Sequence, residues 1–258
     1  MSSLSRFRLI TFDVTDTLIK FRTAPGKQYG EIGSLFGVTH DDNHDLVANF
    51  RANWQRMNRI HPNFGLKTKI SEKEWWRMLI KGTFDAYSLS DEKINNMTNY
   101  LIDLYKTSSC WVLTFGTVDF LNYLKMQKQF DQNFKLGVIS NFDSRLDILL
   151  RNMKLHQYFD FILSSYQAGF EKPDKEIFQK AMRMSEIKDL KPHECLHIGD
   201  TPVTDYFGAR NAGWYSLLIH DKSPEKLRKK YGDAIEDHHV YQSILDMHKD
   251  ISNGYIKW

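Results

Sequence analysis

Cysteine is almost absent from this chain: two in 258 residues, Cys110 and Cys195, far apart and in no CxxC or Cys/His pattern. That excludes a disulfide-stapled scaffold and a cysteine-based metal module, and it fits a reducing compartment. Long hydrophobic runs are missing too. None approaches the ~20 residues that a membrane-spanning helix needs. Met1 to Arg8 lacks the apolar stretch of a secretory signal. The early Ser and Arg residues resemble a transit peptide only superficially, because removing a typical presequence would remove Asp13. The expected location is therefore cytoplasmic, with a nuclear presence also compatible, and not secreted. An excess of one charge is likewise absent: Lys and Arg number 35, Asp and Glu 32. Basic residues are interleaved with acids, so neither a nucleic-acid groove nor a membrane surface is expected as partner. There is no internal repeat and no low-complexity segment.

What is present is an alternation of elements. Five β-rich apolar runs stand out: Leu9–Phe12, Leu136–Ser140, Phe161–Leu163, Cys195–Ile198 and Ser216–Ile219. Helical stretches at Ser144–Met153, Glu176–Met184 and Thr204–Asn211 lie between the later runs. Strand alternating with helix predicts a parallel sheet with helices on both faces. Continuously apolar strands fit burial on both sides. Residues 22–110 differ. They carry helical patterns at Tyr29–Phe36, Leu46–Met57, Glu72–Phe84 and Lys93–Tyr105, with a stripe of Phe50, Trp54 and Met57. The expected organisation is an α/β, Rossmann-like core of residues 1–21 and 111–258, interrupted after the first strand by an all-helical insert of residues 22–110. The tail reads as a short strand and a helix over Ser243–Ile251.

Polar groups fall where strands end. Asp13 closes the first run. Ser140 and Asn141 close the second. Gly199-Asp200 closes the fourth, with Asp205 five residues on. Lys172 precedes a helix, and Pro173 suits the start of that helix. In a parallel sheet all strand C-termini share one edge, so these groups should meet there. Their types suit phosphoryl transfer. A carboxylate, Asp13, can attack phosphorus. Asp200 and Asp205 can hold a hard divalent cation, Mg²⁺ first among them. Lys172 adds positive charge against the phosphate. Ser140 and neighbouring N–H groups can hold phosphate oxygens, and the Thr17 hydroxyl can orient the Asp13 loop.

The four segments resemble the four motifs of the haloacid dehalogenase superfamily of hydrolases. Asp13-Val14-Thr15-Asp16-Thr17 resembles the first, Ser140 the second, Lys172 the third and Gly199-Asp200-Thr201-Pro202-Val203-Thr204-Asp205 the fourth. The helical insert resembles the cap that many members carry. The resemblance implies catalytic roles for Asp13, Lys172 and Thr17, and phosphate binding by Ser140, Asn141 and Lys172. It implies Mg²⁺ held by Asp13, the Thr15 backbone carbonyl, Asp200 and Asp205, and a small phosphorylated substrate. Its usual acid/base carboxylate, two residues after Asp13, is here Thr15. General acid–base catalysis is typically worth ~10²–10⁴-fold, so a slow phosphatase is expected. Asp16 is a poor replacement if the segment is extended, because one residue of offset points it to the opposite face. Two other readings stand beside this one: a weak or inactive member that binds a phosphometabolite or regulates, and a metal-independent dehalogenase. The transporter ATPases also have Thr at that position, but this chain lacks their membrane segments. The expected assembly is a monomer or weak dimer.

Elsewhere plainer readings lead. Trp54, Trp75 and Trp76 are expected in the insert's core. The turn His61–Gly65 is a candidate to face the active site. Cys195 is expected to be a buried strand residue, His197 a satisfied one, and Lys226–Lys230 a solvated helix face.

Overall fold

The computed structural model describes residues 4–39, 45–130 and 133–258. The side chain of Phe130 is outside that description. The chain divides into two compact units, Met1–Lys20, Leu113–Asn141 and Lys154–Trp258 forming one, and Phe21–Val112 with Phe142–Met153 the other.

The first unit is built on a six-stranded sheet. Its strands are β1 (Leu9–Phe12), β4 (Lys135–Ser140), β5 (Phe161–Ser164), β6 (Cys195–Gly199), β7 (Tyr215–Ile219) and β8 (Val240–Tyr241). They lie in the order β5-β4-β1-β6-β7-β8, and each neighbouring pair is parallel. This is the α/β architecture expected from the sequence. In β1, Leu9, Ile10 and Phe12 are fully buried, as a central strand covered on both faces requires. Register fixes the functional edge. Phe12 is level with Val138 on one side and Ile198 on the other. The next residues along these strands therefore emerge together. Part of the core joins Leu9, Ile139, Phe178, Cys195 and Trp214.

The second unit holds four helices: α1 (Pro25–Leu35), α2 (Leu46–Ile60), α3 (Glu72–Thr83) and α4 (Asp91–Leu104). Their starts are written locally. The side chains of Asp45, Ser71 and Ser90 accept from Ala48, Glu74 and Lys93 N–H groups, satisfying donors that a helix N-terminus leaves open. Tyr29, Leu46, Ile80, Phe84 and Met97 pack together inside. Trp75 is fully buried. It donates to the His61 carbonyl at 2.8 Å, and it packs with Trp54, Phe64 and Trp76. In the His61–Gly65 turn, Asn63 and Phe64 are themselves buried.

Phe142–Met153, expected in the core domain, packs with this unit instead. Trp76 Nε1 donates to Asp143, Ser144 donates to Glu72, and Asn152 donates to the Lys106 carbonyl. Asp143 and Arg145 form a buried ion pair here, with the guanidinium 4.4 Å from the Trp76 ring centroid. The helix expected over Ser144–Met153 is α6 (Leu146–Asn152). Elements not anticipated include the paired short strands β2 (Ile19–Phe21) and β3 (Trp111–Leu113), and α5 (Thr117–Phe130).

Candidate active site

Asp13 follows β1 directly, and its N–H donates to the Ile198 carbonyl at 2.9 Å, continuing the sheet pairing one residue beyond the strand. Lys172 reaches it from the loop before the helix Lys175–Met184. The ammonium lies 2.6 Å from Asp13 Oδ1 and 2.6 Å from Asp205 Oδ1, and it donates to the Ile139 carbonyl at 2.7 Å. All three residues are buried. The helix does not begin at Pro173. Asp174 is its N-cap and accepts from Glu176 N–H, so Pro173 stands before the cap.

Asp200 follows β6, and Asp205 sits in a π-helical turn over Pro202–Phe207, not in the regular helix expected from Thr204. Such wide turns re-aim side chains and recur at functional sites. Gly199 makes the turn possible: a Cβ there would stand 2.3 Å from Asp205 Cγ. Asp13, Asp200 and Asp205 each offer an oxygen within 4.8 Å of the others.

Three carboxylates and one ammonium leave an imbalance, and the acidities show it. Burial, opposed by Lys172, pushes Asp13 up to about 6. Burial and the charges of Asp13 and Asp205 push Asp200 up to about 8. Burial works against ionisation of Asp205 as well, but Lys172 and His197 outweigh it and hold Asp205 well below the usual range. Burial also disfavours the Lys172 charge, yet its two carboxylate partners keep the ammonium more basic than usual. The donor set is hard and all oxygen, and it carries more negative charge than the protein neutralises. It fits a divalent cation of the Mg²⁺ type.

The remaining sequence-expected residues divide. Ser140 is buried and hydrogen-bonds Asp13. Asn141 uses its amide on the protein: its Nδ2 donates to the Lys172 carbonyl at 2.9 Å, and its Oδ1 accepts from Lys172 N–H at 2.8 Å. It thus clamps the Lys172 backbone with one amide N–H and its oxygen, which leaves the second amide N–H for another acceptor. Asp205 is similarly engaged, with Oδ1 on Lys172 and His197, and Oδ2 accepting from Thr201 N–H at 2.8 Å. The Thr17 hydroxyl is buried and has no hydrogen-bond partner among the described residues, while its carbonyl accepts from Thr114 Oγ1. Thr15 is half-buried and bridges to Ile19.

At Asp16 the premise of an extended segment fails. This residue has φ +58°, and its N–H turns back to the Ile19 carbonyl at 2.7 Å. The left-handed turn brings Asp16 to a cleft of about 500 Å³ that Asp200, Lys20 and His220 also line. His197, expected to be a satisfied strand residue, is one. It is fully buried, and burial together with the nearby Lys172 charge lowers it to about 4, so it is neutral. Its Nδ1 is 2.8 Å from Thr11 Oγ1 and its Nε2 3.2 Å from Asp205 Oδ1. The only signal in the sequence was a polar residue in an apolar strand two positions before Gly199.

A family model for haloacid dehalogenase-like hydrolase matches residues 7–213, and the chain belongs to that family of hydrolases. Among individual proteins, it is 55% identical to the Rhythmically expressed gene 2 protein of Drosophila melanogaster across the full length of both. It is 35% identical to Haloacid dehalogenase-like hydrolase domain-containing protein 3 of Xenopus laevis, over 92% of each chain. Of solved structures, the HAD-hydrolase YfnB from Bacillus subtilis shares the fold with a TM-score of 0.69 at 19% identity, covering 96% of this chain and 100% of that one. Among the described residues no helix is long and apolar enough to cross a membrane.

Proposed function

We propose that this hydrolase is a Mg²⁺-dependent phosphatase in which Asp13 attacks the phosphorus of a small phosphate ester. The observation that carries this reading is the convergence of Asp13, Lys172, Asp200 and Asp205 at one sheet edge. Asp13 Oδ forms the new bond to phosphorus as the bond to the leaving oxygen breaks, giving an aspartyl-phosphate that water then cleaves. Lys172 faces the same oxygen and offsets charge that builds on the phosphoryl group. The cation, when bound, would be held by Asp13, the Thr15 carbonyl and Asp200, with Asp205 beside them. It would supply charge neutralisation and orientation. The YfnB structure is described as bound to magnesium, which supports that assignment. The orphaned Thr17 hydroxyl is a buried donor that a phosphate oxygen would satisfy; an unsatisfied group of this kind costs about 1–3 kcal/mol.

Thr15 cannot protonate a leaving alkoxide near neutral pH, so turnover is slow on alkyl phosphates and faster where the leaving group needs no proton. The test compares p-nitrophenyl phosphate and acetyl phosphate with alkyl phosphates, with and without Mg²⁺. Mg²⁺-dependent hydrolysis that favours the first two is expected. No hydrolysis of any ester, by the natural protein or by Thr15→Asp, would overturn the reading. Ligand capture surviving Asp13→Asn would then favour a binding protein.

A further inference from the structure

A second cluster lies in the segment that leads into β8. Glu236, His238 and His239 each present a ligand atom, and the three atoms lie within 4.8 Å of one another. His239 is 1% exposed. Its Nε2 lies 2.9 Å from the Lys257 carbonyl oxygen. A carbonyl can only accept, so Nε2 carries the ring proton and Nδ1 keeps its lone pair. Metal-ligating histidines likewise have the far N–H fixed by an acceptor, which leaves the near nitrogen as the one with the lone pair. Nδ1 is 3.7 Å from Glu236 Oε1, and His238 Nε2 is 3.3 Å from Glu236 Oε2. A tetrahedral zinc ion with bonds of ~2.0–2.1 Å separates its ligand atoms by about 3.4 Å. His238 and Glu236 Oε2 already stand at about that spacing, and His239 Nδ1, within 4.8 Å of the others, must close on them by side-chain motion.

We infer that Glu236, His238 and His239 form a zinc site separate from the Asp13 cluster. Two imidazoles and one carboxylate select a borderline ion such as Zn²⁺ over Mg²⁺, which prefers an all-oxygen set. Two groups compete with the metal. Arg210 donates to Glu236 Oε1 at 2.5 Å, which leaves Oε2, the oxygen facing His238, for coordination. The Tyr206 hydroxyl lies 3.1 Å from His239 Nδ1 and accepts from Glu236 N–H. It must release Nδ1 when zinc binds. The inference does not depend on the phosphatase reading, since none of its ligands belongs to the Asp13 site.

The test is calorimetric titration of the full-length, chelator-stripped protein with zinc chloride, in excess Mg²⁺ to hold the carboxylate cluster. One zinc per chain is expected. His238→Ala should weaken binding about tenfold or more, as loss of a metal partner does, and Glu236→Gln should weaken it as well. His238 is on the surface side of the cluster, with 44% of its side chain exposed, so this variant folds. Tyr206→Phe removes a competing donor and should tighten binding. Cobalt in place of zinc should give the visible bands of a tetrahedral nitrogen- and oxygen-ligated ion, absent in His238→Ala. The inference is overturned if zinc does not bind, if His238→Ala binds zinc as the natural chain does, or if Asp200→Asn abolishes binding that His238→Ala spares.

Discussion

Lys172 holds its ammonium 2.6 Å from Asp13 Oδ1, with only 1% of the Lys side chain and 10% of the Asp side chain exposed. The same nitrogen is 2.6 Å from Asp205. One buried cation thus serves two carboxylates, while Asp200 nearby has none of its own. Most of the chemistry proposed for this chain follows from that shortage of positive charge.

Replacing Lys172 by Met keeps the unbranched stem, one atom shorter, and removes the charge. Asp13 and Asp205 then lose their shared partner in a buried site. Loss of one preorganised electrostatic group typically costs about 10²–10³-fold in kcat, and a loss of that size is expected for p-nitrophenyl phosphate. Asn141→Ala, which frees the Lys172 backbone without removing the charge, should cost less. Steady-state kinetics of the two variants would check the order.

Metal-free protein and Mg²⁺-bound protein should respond to pH in opposite ways. Asp13 is raised to about 6 and Asp200 to about 8, both by burial first. A carboxyl with a folded-state value above its unfolded value contributes less to stability as pH rises from the unfolded value to the folded one. That window runs from about 4 to about 8 here. Mg²⁺ needs the ionised forms, so its stabilisation should grow across the upper part of the window. Thermal unfolding with and without saturating Mg²⁺ should show a small shift at about pH 5 and a larger one at about pH 8.5.

Thr15→Asp restores a group able to carry a proton. Alkyl phosphate hydrolysis should rise by roughly 10²–10⁴-fold, with a much smaller gain on p-nitrophenyl phosphate. Equal gains on both would mean that the new carboxylate acts through the metal and not through proton transfer. Parallel measurement of kcat on both esters separates these outcomes.

Asp143→Ala tests the second unit. Asp143 bonds both Arg145 and Trp76, and Arg145 is buried with its charge. Breaking a buried pair on one side typically costs about 3–5 kcal/mol. Denaturant unfolding should show a loss of that size.

The parts of this molecule that were legible in its sequence are those with local signatures. Asp13, Ser140 and Asp200 each follow a continuous apolar run, and parallel pairing then brings them together without further information. The caps of α2, α3 and α4 are single residues beside their helices. What escaped depends on distant partners. The clamp of the Asn141 amide on the backbone of Lys172 joins residues 31 apart, and nothing local announces it. Asp205 was legible as a site residue, but its hydrogen bond with His197 was not: it rests on a π-helical turn that fits only because Gly199 lacks a Cβ. The burial of Asp143 and Arg145 comes with their contacts to Trp76 in α3, distant in sequence. β2 and β3 have three residues each, too few for an alternation to register. Asp16 was dismissed on a period-two argument that its left-handed backbone does not obey.

The central claim is that Asp13 becomes phosphorylated. Rapid acid quench of the protein with acetyl phosphate and Mg²⁺, followed by intact-mass measurement and peptide mapping, tests it directly. The chain should gain the mass of one phosphoryl group, placed on Asp13, and Asp13→Asn should gain none. A natural chain that turns over substrate without acquiring that mass, or acquires it on another residue, would contradict the account.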